Sequence, residues 1–449
     1  MTGPHPASTG EPSGGHRSRR RLLSALAAGT ATAGLAALAG CTSFGDEDSQ
    51  SVSFPATDLP DVDDDPRPAT WATYPVRVPR AHRRDAQERA NDLLERIPTP
   101  LAARHVPNGH VRQHLTEAAA NARDHLDDAI TAPTQRGTLD SLRRARQHAG
   151  FAATGWTAID MDLTVADLAA DADDVTDRAR RARESMTYAG TDPAPAVVVH
   201  ASREALLHDA TEVSRDFSHG DGVPVLQVAE YGEHLERARA ALADANRLGE
   251  RFRAGQPDDA ESLATRIQDA REALADVLRS EIDSLPSERD ALTLTDADVE
   301  NTLAYRVLHD LHWRASVEHP ARAPSGPASG LVRGVRQYAV VDGSRRVRDA
   351  VESGTRYEIT EAADVTEPYH AVHEALRRAP RRSAAPGLAR AALVDAAASV
   401  RHRDRRLADL DGEVYDHDVT DVVETYAVQT AIARAVPDAV DAALDALQG

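Results

Sequence analysis

The chain has 449 residues, 72 acidic against 52 basic, and a formal net charge of −20. The acids are 47 Asp and 25 Glu, and all 52 basic residues are Arg. With no basic patch longer than a few consecutive Arg, this balance argues against nucleic acid as a partner, and the single cysteine excludes intramolecular disulfides.

Residues 1–16 are rich in Gly, Pro, Ser and His and show no periodicity, the composition of a disordered lead segment. Ser18-Arg19-Arg20-Arg21-Leu22-Leu23 follows, and then a run over 24–40 of almost only Ala, Leu, Gly, Thr and Ser. A positive stretch before an apolar one is the pattern of a secretory signal. The apolar run is borderline in length for a membrane span and only weakly hydrophobic. Around Arg19 and Arg20 the pattern resembles the twin-arginine export signal, an address read by a receptor. Leu38-Ala39-Gly40-Cys41 resembles the lipobox of exported lipoproteins. In this order, the two resemblances imply a signal peptide over 1–40, export by the twin-arginine machinery, cleavage before Cys41 and a covalent lipid on its thiol. They place the mature protein on the outer face of the cell membrane, held there by lipid. The competing reading is a plain anchor helix with a stray buried cysteine. Cys41 sits at the water end of the apolar run, before Thr42, Ser43 and the acidic Asp46-Glu47-Asp48, which favours lipid. Two lipid chains hold a protein stably at a membrane. No cofactor beyond this lipid is predicted.

The first 40 residues carry four Arg and one Glu, so their removal leaves a net charge of −23. Such a charge repels itself in a compact state unless salt screens it. An Asp-heavy, Lys-free composition resembles that of haloarchaeal proteins, which implies that the acidity is adaptation to brine. Residues 41–79 are expected to form a tether from the lipidated Cys41. They hold the acidic run 61–65 and the prolines Pro55, Pro60, Pro66, Pro68, Pro75 and Pro79, a composition of extended, charged spacers. Trp71-Ala72-Thr73-Tyr74 is expected to dock on the domain or form a short strand.

From Arg80 onward the pattern is helical almost throughout, in segments broken by Pro, Gly and Asp. It predicts an all-α fold of long antiparallel amphipathic helices in one or two bundles. In the clearest segment, 225–252, Leu235, Ala238, Leu242, Ala245 and Phe252 form one stripe. The next, 258–285, repeats it with Leu263, Ile267, Ala270, Leu274 and Val277. Gly255-Gln256-Pro257 separates them, so the pair is expected to pack antiparallel. Asp192-Pro193 reads as a helix start, and Thr295-Asp296-Ala297-Asp298 as a capping-box variant. Residues 335–341 read as a short strand or the start of a helix. The Pro- and Gly-rich run 319–330 reads as a linker between a main bundle, 80–318, and a smaller helical region, 331–449, or as a long surface loop within one array.

Histidine clusters in three places: His110 with His114, His309 with His312, and His370 with His373 and Glu374, preceded by Glu367. A Glu-x-x-His step resembles one element of di-iron carboxylate bundles, which need two such steps and two further glutamates. Glu367-Pro368-Tyr369-His370 is the one match. His309, His312, His370, His373 and Glu374 are weak metal candidates. Of these, the His309/His312 pair stands first, because Tyr305 and Trp313 point to a half-buried neighbourhood. No catalytic residue is predicted: the sequence shows no Gly-x-Ser-x-Gly elbow and no phosphate-binding glycine loop. The arginine runs at 143–146, 178–183, 345–348 and 401–406 read as i,i+4 ion pairs on solvated faces. The sharper alternative is an anion-binding groove where several runs converge.

The reading that results is a membrane-anchored, extracytoplasmic lipoprotein, non-enzymatic, whose helical domain binds a ligand or a protein partner at the cell surface. The alternative is a helical metal-binding protein or metalloenzyme using a His/Glu cluster. Solute-binding proteins of transporters use α/β lobes, and strand signals are scarce here.

Overall fold

Polar caps set where several helices begin. Thr134 accepts the Gly137 N–H at 3.1 Å, Asn108 accepts from His110 and Val111, and Asp192 accepts from Ala194. Each satisfies amide groups that a first helical turn leaves without a partner. The computed structural model describes residues 51–62, 73–212, 223–285, 302–317 and 325–448. The fold is all-α, with thirteen helices among the described residues. They are α1 (Arg80–Glu95), α2 (Gly109–Thr131), α3 (Gln135–Asp160), α4 (Val165–Glu184), α5 (Pro193–Thr211), α6 (Pro224–Arg253) and α7 (Ala264–Asp283). There follow α8 (Leu303–Val317), α9 (Pro327–Glu352), α10 (Ala363–Arg382), α11 (Pro386–Ala392), α12 (Val394–Ala408) and α13 (Asp416–Gln448). Two short strands, β1 (Ser53–Pro55) and β2 (Glu413–Tyr415), pair antiparallel with Phe54 opposite Val414.

The export and lipidation residues Arg19, Arg20, Leu38, Ala39, Gly40 and Cys41 lie outside the described residues, as do Thr295 to Asp298 and the first part of the 319–330 run. Among the described residues no helix is long and apolar enough to cross a membrane.

The helices share two large hydrophobic cores, and a small third cluster joins Val106 to Val111 and Leu115 of α2 and to Leu226 and Ala229 of α6. The first large core joins Tyr74 and Val78 to α1–α4, the second half of α5, and α6. The second joins Phe54, the first half of α5, Phe252 in the last turn of α6, and α7–α13. Helix α5 serves both: Val197 and Val199 face the second core, Leu207 and Ala210 the first. Along the chain the change from one core to the other after α5 falls in the last turn of α6, at Phe252, earlier than the 319–330 run, whose described end forms the start of α9.

Helix α6 is buried on most sides because α3, α4 and α5 all pack on it. The predicted stripe from Leu235 to Phe252 is buried. Small residues allow the close approach to α3: a Cβ at Gly232 would stand 2.0 Å from the Thr154 hydroxyl oxygen. Helix α7 differs from expectation in two respects. It packs on α9 and α13, not along α6, because its apolar face completes the second core. Its stripe ends on the fully buried Leu278, with Val277 46% exposed, since a 3.6-residue period carries Ala270 and Leu274 to position 278. Residues 335–341 lie in the middle of α9.

Part of the expected tether rests on the domain. Phe54, Tyr74 and Val78 are buried, and β1 fixes residues 53–55 against β2. Burying two aromatic side chains removes apolar area that an extended spacer would leave in water.

Candidate functional site

Three helical stripes meet at one cleft of about 490 Å³. The first comes from the α2–α3 corner: Gly137, Ser141 and Arg144 recur at steps of four and three on α3, beside Asp128 and Thr131 at the end of α2. The second is Tyr369 and His373, one turn apart on α10. The third is Arg401, Asp404 and Arg405 on α12. Each spacing places its side chains on one helix face.

The floor is polar and buried. Tyr369, His373 and Asp404 line it, and they and the adjoining Tyr426 are each less than 8% exposed. The Tyr426 hydroxyl donates to Asp404 Oδ1 at 2.7 Å. His373 Nε2 lies 3.5 Å from the same oxygen, and the Tyr369 ring is 4.6 Å from the His373 ring. Burial, then the charge and hydrogen bond of Asp404, push the Tyr426 hydroxyl above its ordinary range, so it remains a proton donor.

The rim is cationic. Arg144 and Arg405 are exposed and Arg401 half-buried. Arg405 Nε donates to the Arg401 carbonyl at 3.4 Å. Asp128 is 3.2 Å from His125. Guanidinium groups above a hydroxyl, an imidazole and a carboxylate make a site suited to holding a small polar ligand.

Two further polar clusters are structural. Glu236, 3% exposed on α6, receives Arg146 at 3.0 Å, Arg239 at 3.0 Å and Arg89. Burial pushes its carboxyl up, but the Arg89 hydrogen bond and the Arg146 and Arg89 charges reverse this and hold it at about 2. Asp244, two turns on, faces His82 at 2.7 Å and Arg143 at 3.0 Å. These pairs bind α1 and α3 to α6. On α5, the Glu204 carboxylate is fully buried and accepts the Tyr188 hydroxyl at 2.7 Å.

The arginine runs therefore split. Arg178 and Arg180 do pair locally, with Asp174 and Asp177, on an exposed face. Arg143 and Arg146 instead reach buried acids on another helix. Arg403 and Arg406 both reach Asp421 on α13.

The histidine candidates are dispersed. His110 and His114 meet edge to face, rings 4.4 Å apart, at the start of α2. His309 stacks on Tyr305 and His312 lies 3.4 Å from the Ser316 hydroxyl, both half-buried on α8. Trp313 is 56% exposed, so the half-buried surroundings inferred from it are lacking on that side. His370 is exposed and borders an open depression with Glu367 and Asp58, whereas His373 is buried at the floor of the cleft. Glu374 pairs with Arg377 at 3.6 Å and with Arg378. Among the described residues no three His, Cys, Asp or Glu side chains converge as a metal-binding set.

Sequence reasoning missed Tyr369, Asp404 and Tyr426, and the buried Glu204, Glu236 and Asp244. The i,i+4 step from Tyr369 to His373 and the two-turn step from Glu236 to Asp244 in an Ala-rich helix were the available signals.

No curated protein and no solved structure matches the chain. Two family models do match parts of it: residues 81–259 match a domain of unknown function, DUF8262, and residues 264–445 a second, DUF8264, so the junction between the two families falls just after the change of core at Phe252.

Proposed function

We propose that the chain is an exported, lipid-anchored binding protein of salt-adapted type, non-enzymatic, whose helical domain takes its ligand in the cleft between the α2–α3 corner, α10 and α12. The observation that carries the binding reading is the cleft itself: about 490 Å³, built from three helix faces over a buried floor of Tyr369, His373 and Asp404, the last hydrogen-bonded to Tyr426. That volume is in the range of small-molecule sites. The anchoring reading rests on the order of Arg19-Arg20, the apolar run and Leu38-Ala39-Gly40-Cys41.

Fractionation tests the anchor. Cys41→Ser releases the protein from membranes or leaves the precursor uncut, and replacing Arg19 and Arg20 by Lys retains it in the cytoplasm. A thermal-shift screen of small solutes tests the binding. At least one solute raises the melting temperature of the wild type and not of Ser141→Trp, which fills the cleft. A screen in which no solute distinguishes the two proteins refutes the reading.

A further inference from the structure

We propose, building on the reading of the cleft as the binding site, that its ligand is a small oxyanion, a molecule presenting a carboxylate or a phosphate group, held by Arg144 from α3 and by Arg401 and Arg405 from α12. The support comes from comparing neighbours within the two arginine runs. In the first run, Arg143 pairs with Asp140 and Asp244, and Arg146 with Glu236. In the second, Arg403 and Arg406 pair with Asp421. Two of the three members that border the cleft differ: neither Arg144 nor Arg405 makes an ion pair with any described residue. In a chain with 72 acids and 52 arginines, carboxylate partners are plentiful, yet these two guanidiniums face a cleft without one.

The acids at the same cleft are already engaged. Asp404 accepts from Tyr426 and faces His373, and Asp128 lies beside His125. The cleft therefore offers two guanidiniums, Arg144 and Arg405, whose charge no described carboxylate pairs. A planar guanidinium fork matches the two oxygens of a carboxylate or phosphate, a geometry that chloride cannot use. The net charge of −20 opposes an anion at long range. In about 1 M salt, screening acts within about 3 Å, so contacts at the cleft decide.

Isothermal titration of the whole mature protein in about 1 M KCl, with citrate and with inorganic phosphate as probes, tests the proposal. At least one probe binds saturably to the wild type. Arg144→Gln and Arg405→Gln each weaken it by about tenfold or more, the cost of a charge-assisted hydrogen bond. Arg178→Gln, on a distant exposed face, leaves it unchanged. Both cleft arginines are exposed, so the variants retain the fold, which circular dichroism checks. No saturable binding of either probe, or equal affinity in all three variants, overturns the proposal. A neutral or cationic solute whose binding is lost in Ser141→Trp, with neither probe bound, refutes the oxyanion and leaves the binding reading standing. If no solute depends on the cleft, both fall.

Discussion

Glu204 on α5 accepts the backbone N–H of Ser329 at 2.7 Å and thereby holds the first turn of α9. Its other oxygen accepts the Ala328 N–H at 3.0 Å and the Tyr188 hydroxyl. Gly326 precedes the helix at φ +150°, where a Cβ would meet the Glu204 carboxylate at 2.4 Å. A helix from the second core is thus capped by a residue of the helix that both cores share. Burial and the adjacent Glu204 charge raise the Tyr188 hydroxyl above its ordinary range, which keeps it a donor. Glu204→Ala should cost about 2–4 kcal/mol in a thermal or denaturant melt, since it strands buried donors and removes an N-cap. Gly326→Ala should destabilise in the same assay.

Glu236 makes stability depend on acid pH. Its folded carboxyl is held at about 2 against an ordinary 4.5, so its contribution is complete above pH 4.5 and is lost as pH falls through about 2. The size is about 3 kcal/mol. The stability gap between wild type and Glu236→Gln should be constant near neutrality and close between pH 4.5 and 2.

His200 acts in a higher window. It is 2% exposed, lies between the Tyr188 and Phe252 rings, and places Nε2 3.2 Å from the Ala189 carbonyl. Burial lowers it from 6.5 to about 4, although the Ala189 hydrogen bond opposes the shift. Between those values the unfolded chain binds a proton that the folded one refuses, so stability falls as pH drops from 6.5 to 4, by about 1.4 kcal/mol per unit. His200→Leu should flatten that part of the profile relative to the wild type.

The α3–α6 contact has no room. Gly232→Val should destabilise by about 1–3 kcal/mol or prevent folding, because its side chain would enter the space of Thr154. Gly387, in α11, has only a Val198 methyl at 4.0 Å, and Gly387→Ala should be neutral or stabilising by about 0.5 kcal/mol. Differential scanning calorimetry separates the two.

The helical class was legible because Leu235, Ala238, Leu242 and Ala245 repeat at the helical period, and Asp192-Pro193 marks a start by local chemistry alone. Partner choice was not. Nothing within 264–283 says that α7 leaves α6 for α9 and α13, since that depends on which apolar faces elsewhere remain uncovered. Glu236 resembles a surface acid next to Arg237 and Arg239, and it becomes buried only when α1 and α3 bring Arg89 and Arg146 to it. The cleft was half legible: the arginine runs at 143–146 and 401–406 were visible, but their meeting is a property of the tertiary fold.

Cys41 carries the anchoring claim, and intact mass measurement of the protein purified from membranes tests it most directly. The expected species is a chain that begins at Cys41 and carries a lipid on that residue, in a mass that Cys41→Ser abolishes. A full-length chain beginning at Met1, or an unmodified Cys41 in the membrane fraction, would contradict it.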